Sequence, residues 1–439
     1  MHAELGLRGR LTRHRAGDKA EFPFEQRVLD NGLRVIVHPD DSAPLVATHL
    51  MYHVGSRHEP PGKRGFAHLF EHLLFQGSQH VPEGEHFRHI QAAGGTLNGT
   101  TWFDRTNYYE TLPSGDLDLA LWLESDRMGY FLPAITQEKL DNQRDVVKNE
   151  RRQSYENRPY GLAVETMLAR AFPEGHPYRH PTIGYMEDID AATLGDTQEW
   201  FENWYGPNNA VLVISGAVEP EHAFERAAHW FGEIGRRPTP EPRPVPGIVN
   251  GVAGEAVIPD RVSVPRAYLM FHAPPFPDPG FEPADVLCSL LAEGKSSRLY
   301  RELVYDQRIA ADVSAFVWPS ECAGMLWVVA TARPGATATE LQERVADVLG
   351  ELRASGPTEQ EIEGARNRAR RQLMRQLDSV TRRADLLAHA AVLRNDPDYI
   401  NQVSARYESI TGEEVSIAAR SILDPGRGTA VHVVPERKD

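Results

Sequence analysis

Two rhythms of apolar and polar positions alternate along this chain. Residues 24–29 and 33–38 carry strand-like patterns on either side of Asp30-Asn31-Gly32, and Asn-Gly between two such runs signals a hairpin. Residues 45–54 read as a further strand. A helical rhythm begins at residue 65, and a second covers 83–93 until Gly94-Gly95 stops it. Residues 96–103 and 107–112 read as two strands joined through Asp104-Arg105-Thr106. An amphipathic helix is expected over 117–128 and a long charged helix over 136–155, ended before Pro159. A strand over 210–216 and a helix over 220–232 complete the first half. Hairpins mixed with helices place the fold in the α+β class rather than among doubly wound sheets.

Residues 236–254 are rich in Pro and Gly and read as an extended linker. Beyond it the pattern returns. Leu50-Met51-Tyr52-His53 recurs as Leu269-Met270-Phe271-His272. Leu73-Leu74-Phe75-Gln76-Gly77 recurs as Leu290-Leu291-Ala292-Glu293-Gly294, and Thr136-Gln137-Glu138-Lys139-Leu140 as Thr358-Glu359-Gln360-Glu361-Ile362. The offsets are 219, 217 and 222 residues, so two copies of one domain fold are expected, each a mostly antiparallel sheet packed with helices. The expected organisation is a tail over 1–21, a first domain over 22–235, a linker over 236–254 and a homologous second domain over 255–439.

At 439 residues the chain exceeds one ordinary core, in keeping with this division. A net charge of −15 argues against nucleic acid as the main partner. Cys288 and Cys322 are too few for a disulfide scaffold and fit a reducing compartment. No apolar run is long enough to span a membrane. The first twenty residues carry Arg8, Arg10, Arg13, Arg15 and Lys19 without an apolar stretch, unlike a secretory signal, so a cytoplasmic location is expected, or a periplasmic one if a leader is missing from the sequence.

The richest string is Gly65-Phe66-Ala67-His68-Leu69-Phe70-Glu71-His72-Leu73-Leu74-Phe75. On a helix His68 and His72 share one face and can point two imidazoles at one metal ion. Glu71 stands one residue from His72, within reach of a water on that metal. This inverse of the His-Glu-x-x-His arrangement is the inverzincin motif. In the second copy the corresponding helix reads Asp285-Val286-Leu287-Cys288-Ser289 and cannot hold zinc in the same way. The first half therefore carries the metal, and the second half has another task.

Two imidazoles leave a catalytic zinc one protein ligand short. The helix over 136–155 offers acids: Glu150 lies on one face with Gln143 and Val147, while Asp145 or Glu138 could serve instead. His176 and His180 have ligand-like spacing, but their prolines make a structural loop. His53, His58, His80, His86 and His89 read as surface or packing residues. With zinc in place, Glu71 would take a proton from the attacking water and pass it to a leaving amine, which is the chemistry of peptide hydrolysis.

With His68-x-x-Glu71-His72 followed by Glu150 in Asp145-Val146-Val147-Lys148-Asn149-Glu150-Arg151, the chain resembles the pitrilysin family of zinc metallopeptidases from about residue 22 onward. That family includes insulin-degrading enzyme and the mitochondrial processing peptidase. The resemblance implies that Glu150 is the third ligand of one zinc per chain. It also implies the short two-domain subfamily, whose subunits pair into a closed chamber that admits unfolded or short peptides. Gly94 to Thr101 matches the family strand that binds substrate backbone, which implies substrate contacts at Asn98, Gly99 and Thr100.

Two departures are visible. Gln143 stands where the family has a second glutamate, leaving it a hydrogen-bonding neighbour of the site rather than a charged one. Val304 and Ala311 stand where active single-chain members carry an Arg and a Tyr that hold the substrate carbonyl and oxyanion; Arg298 and Tyr305 have that spacing six residues too early and read as scaffold. The resemblance therefore implies the zinc-bearing subunit of a heterodimer, with a homologous partner supplying Arg and Tyr. A self-sufficient homodimeric peptidase and a non-catalytic core-type subunit are the alternatives.

Overall fold

The sequence repeat is a repeat of sheet topology. The computed structural model describes residues 12–13, 22–241, 243–248 and 254–436. The first sheet is built from β1 (Thr12–Arg13), β2 (Glu25–Val28), β3 (Arg34–Pro39), β4 (Leu45–Tyr52), β5 (Thr96–Thr101), β6 (Thr106–Pro113) and β7 (Ala210–Gly216), in the order β1-β2-β3-β7-β4-β6-β5. The second holds β8 (Glu255–Asp260), β9 (Arg266–Ala273), β10 (Ala310–Trp318), β11 (Gly324–Ala332) and β12 (Thr429–Pro435), in the order β10-β11-β9-β12-β8. Read from its other end, the second sheet repeats β3-β7-β4-β6-β5, down to the single parallel pair in each, β3 with β7 and β8 with β12. The α+β expectation and the doubled, mostly antiparallel sheets are what the structure has.

The helices that matter here are α1 (Phe66–Leu73), α2 (Glu85–Ala92), α3 (Leu117–Tyr130), α4 (Gln137–Arg151), α5 (Ala163–Ala171), α6 (Phe281–Ala292), α7 (Glu359–Gln376) and α8 (Val380–Leu393). The expected hairpin is β2–β3, with Gly32 at φ +90° in its turn and the Asn31 side chain donating to the carbonyls of Phe231 and Ile234. The long charged helix ends at Arg151, short of the expected residue 155, because residues 152–156 widen into a π-helical turn.

The chain forms two compact units, and neither is a contiguous half. The first comprises 1–148, 182–243 and 375–402; the second comprises 149–181, 244–374 and 403–439. The halves exchange one segment each. In the first unit α8 packs on β4 and β7; in the second, α5 packs on β12 and β9, the matching strands. This departs from the expected split at the linker. An amphipathic helix announces that it is buried but not which sheet buries it. The exchange also explains the unbroken apolar run of β4: α3 packs against that strand as well as α8, so its residues from Val46 to Tyr52 are buried. Ala384, Ala388 and Ala391 are buried on α8, where small side chains permit close approach to the sheet.

Apart from Thr12 and Arg13, the expected tail lies outside the described residues. So does part of the expected linker, whose described residues are in neither helix nor strand. Among the described residues no helix is long and apolar enough to cross a membrane. Cys288 and Cys322 are both free thiols.

Candidate metal centre

Helix α1 is short, and its first turn is fixed by groups outside it. Gly65 precedes it at φ +94°, a conformation that L side chains rarely adopt, and a Cβ there would lie 2.5 Å from the Ile183 carbonyl oxygen. The buried Glu59 accepts from the backbone N–H of Gly65 at 2.9 Å and of Ala67 at 2.8 Å, placing a carboxylate at the positive end of the helix. Phe66, Leu69, Phe70 and Leu73 are buried, and Phe70 packs on Tyr205 with ring centroids 4.6 Å apart. Anchored on its apolar side, the helix presents His68 and His72 half-exposed, their ring centroids 4.8 Å apart.

The last turn of α4 brings Glu150 to them. One ligand atom from each of His68, His72 and Glu150 lies within 4.8 Å of the others. The alternatives stand elsewhere: Glu138 is exposed, and Asp145 is exposed and paired with Lys148 at 3.0 Å. Val147 and Gln143 are buried along the face that leads to Glu150. Arg151 turns the other way and holds Glu165 on α5 at 2.9 Å. Two imidazoles and one carboxylate form a donor set suited to zinc, and small side-chain movements would bring all three to one ion.

Glu71 is buried at 8 % exposure, and its Oε2 accepts from the Thr101 hydroxyl at 2.5 Å. Thr101 ends β5, which among the described residues is an edge strand of the first sheet and is the strand against which α1 packs. Trp102 N–H donates to the Arg105 carbonyl at the hairpin end. Alternation along an antiparallel ladder then turns the backbone groups of Leu97, Gly99 and Thr101 to the open edge. Gly99 N–H bonds the side-chain oxygen of its neighbour Asn98 at 3.0 Å, and Asn98 is exposed. Thr100 faces the other way, its hydroxyl donating to Asn107 at 2.5 Å. A Cβ on Gly99 would lie 3.0 Å from the Phe75 ring, which keeps this strand close to the helix side of the site.

A second gathering of possible ligands, His86, Glu110 and Glu124, is fully buried. It already contains a cation. Arg127 pairs with Glu124 and stands 3.7 Å from Glu110, its guanidinium over the Tyr108 ring. Burial drives the Glu124 carboxyl well above the usual range and the His86 imidazole down to about 3. This is a buried ion network under the sheet, with its positive charge built in. The remaining histidines fit the packing roles expected: His58 packs on Trp204, His80 bonds Asp126, His89 lies beside Glu85, and His176 stacks on Phe172 while accepting from Tyr178 N–H.

Sequence reasoning missed Thr101 and Glu59. Thr101 is 30 residues from Glu71 and meets it only across a helix-to-strand contact. Nothing in a lone threonine on a strand signals such a role, whereas an acid shortly before the Gly65 turn is a helix-capping signal that could have been read.

The model of the family described as insulinase (peptidase family M16) matches residues 34–185, and the model described as peptidase M16 inactive domain matches residues 191–369. The chain is 27% identical over 415 residues to the zinc protease PqqE of Helicobacter pylori, covering 94% of this chain and 93% of that protein. It is 26% identical over 211 residues to the probable mitochondrial-processing peptidase subunit beta of Arabidopsis thaliana, covering 48% of this chain and 39% of that one. The crystal structure of a protease from Helicobacter pylori superposes with a TM-score of 0.86 at 27% identity, over 94% of this chain and 99% of that one. A peptidase M16 inactive domain structure from Pseudomonas fluorescens shares the fold with a TM-score of 0.85 at 18% identity, over 95% of this chain and 98% of that one.

Proposed function

The chain belongs to the insulinase (M16) peptidase family, and from that premise we propose that it is the zinc-bearing subunit of a metalloendopeptidase acting on unfolded or short peptides. The observation that carries the reading is the gathering of His68, His72 and Glu150 beside a buried glutamate held by a hydroxyl. In this reading those three residues are the metal ligands, one ion per chain, and Glu71 is the catalytic base. The names of relatives such as the zinc protease PqqE support zinc as the metal.

A zinc ion held there supplies a Lewis acid and lowers the pKa of a coordinated water to about 7. The protein does the rest. Substrate backbone adds to the open edge of β5, where main-chain pairing tolerates many sequences. The Asn98 side chain, already bonded to Gly99 N–H, moves aside as a substrate carbonyl takes that donor. Thr101 holds one oxygen of the Glu71 carboxylate, and Glu71 accepts the proton of the attacking water and delivers it to the leaving amine.

What this chain lacks in the proposed scheme is a second donor for the oxyanion. Val304 is buried and Ala311 is a methyl group, so neither position that would bear Arg and Tyr can donate. Arg298 is committed to Glu361 at 2.6 and 2.8 Å, as expected of a scaffold residue, while Tyr305 is 71 % exposed at the surface. A homologous partner subunit carrying Arg and Tyr would complete the site. The test is hydrolysis of a quenched, unstructured peptide by the zinc-loaded chain, alone and mixed with such a subunit, beside a Glu71→Gln control. Turnover that appears or rises strongly only in the mixture supports the reading. Full turnover by the chain alone favours the homodimeric alternative, and no turnover in either arm rejects the peptidase.

A further inference from the structure

Beside β5 lies a polar relay that the mechanism above does not use. The Arg105 guanidinium donates from Nη1 to the Thr100 carbonyl at 3.0 Å and to the Thr100 hydroxyl at 2.6 Å. The Thr100 hydroxyl passes its own proton to Asn107 Oδ1 at 2.5 Å, and Asn107 Nδ2 donates to His49 Nε2 at 2.8 Å. His49 is therefore neutral at Nε2, in line with a buried imidazole whose pKa burial pushes down to about 4. On its other side Arg105 Nε donates to His389 Nε2 at 3.4 Å. His389 Nδ1 then donates to the Asp385 carbonyl at 2.9 Å and faces the Asp385 carboxylate at 3.1 Å.

The direction of donation starts at Arg105 in both branches, and the buried Nδ1 of His49, at the far end of one of them, has no hydrogen-bond partner among the described residues. The guanidinium cannot lose its protons, so both branches are set in one orientation. Burial pulls the Arg105 pKa down while Asp385, Glu71 and Asp104 pull it back. Asp385 would be raised by burial, but the hydrogen bond from His389 and the nearby Arg105 charge hold it below its ordinary value. The relay thus ties four elements together: β4, β5, the start of β6 and α8. The last is the segment that the second half of the chain gives to the first unit.

We propose that Arg105 is a positioning residue of the peptidase, braced by Asp385 and His389 on α8, which fixes the end of β5 so that Thr101 holds Glu71 in its working geometry. The inference rests on the peptidase reading for its catalytic part. It also gives the second half of the chain a part in the site without a metal ligand. The residue that touches Glu71 is Thr101; Arg105 acts one residue away, through the backbone and hydroxyl of Thr100.

The experiment compares the zinc-loaded full-length chain with Arg105→Met, Arg105→Lys and Asp385→Asn in two arms. In the first, backbone amide exchange is followed over residues 96–101. Arg105→Met and Asp385→Asn are expected to speed exchange there by about tenfold, with zinc content unchanged and Arg105→Lys intermediate. In the second, peptide turnover is measured under whichever condition, alone or with the homologous subunit, gives wild-type activity. Arg105→Met is expected to lower kcat by about 10- to 100-fold while KM moves less than about twofold, and Arg105→Lys to recover part of the loss. Unchanged exchange in Arg105→Met, or a loss carried by KM with kcat intact, overturns the proposal. If wild type never exceeds Glu71→Gln in either condition, the peptidase reading fails, and the exchange arm still decides whether the brace exists.

Discussion

Helices α1 and α6 hold the same station in two sheets of one topology, α1 against the edge strand β5 and α6 against the edge strand β10. At the 217-residue offset, His68, Glu71 and His72 of α1 correspond to Asp285, Cys288 and Ser289 of α6. The α6 residues are absorbed into structure. Asp285 accepts from Tyr407 at 2.6 Å, Cys288 is buried in the apolar core, and Ser289 bonds both Glu293 and Arg368. On α1 the two imidazoles stay half-exposed and face the last turn of α4. The backbone frame is shared, so the difference in chemistry comes from three side chains and their exposure. In the proposed reading only the first copy carries a site, while each copy lends one helix to the other's unit.

The comparison breaks most sharply at the proposed ligands. His72→Ala or Glu150→Gln should weaken zinc binding by about 1000-fold and remove peptide hydrolysis, judged by dialysis against a zinc buffer and by turnover. Asp285→Asn in α6 should leave zinc content and affinity unchanged. Zinc retained by Glu150→Gln would mean that another acid is the ligand. A smaller effect is expected one step back: Gln143→Ala should weaken zinc binding by about tenfold, the usual size for a residue that supports a ligand, and Gln143→Glu should strengthen it.

How much of this was readable beforehand differs between the two regions. The helix of the proposed metal ligands was legible because His68, Glu71 and His72 are local in sequence and a helix converts that spacing into a face. The sheets were legible from alternation and from Asn31-Gly32, and the doubling from three strings in register. Glu150 needed more, since spacing along α4 left Glu138 and Asp145 open; the family resemblance singled it out, and the fold brings it beside His68 and His72. The exchange of α5 and α8 was not legible at all, because amphipathicity states burial without naming a partner. The link from Thr101 to Glu71 was hidden for the same reason: it joins two elements at a sequence distance where no local rule applies.

Acid should act on both units. Burial holds His49 in the first and His176 in the second at about 4, below their ordinary value of 6.5. Both are neutral when folded and become charged on unfolding below pH 6.5. The unfolded state then binds more protons, so stability is full above about pH 6.5 and falls as pH drops toward 4. Thermal melts of the zinc-free chain should show Tm declining over that window, and His49→Asn should flatten part of the decline. A melt insensitive to pH between 4 and 6.5 would contradict these assignments.

The smallest effect is expected at Asp145, exposed and paired with Lys148 at 3.0 Å. Asp145→Asn should change zinc affinity by less than about twofold and stability by less than about 1 kcal/mol, as for other surface ion pairs. A large loss of zinc there would reopen the choice of third ligand and with it the contrast between α1 and α6.

The most direct test of the central claim is a paired measurement on Glu71→Gln: zinc content by elemental analysis, and hydrolysis of a quenched, unstructured peptide under conditions where wild type turns over. The account predicts that the variant keeps its zinc and loses hydrolysis, because Glu71 moves the proton and does not hold the metal. Hydrolysis that persists in the zinc-loaded variant would contradict it.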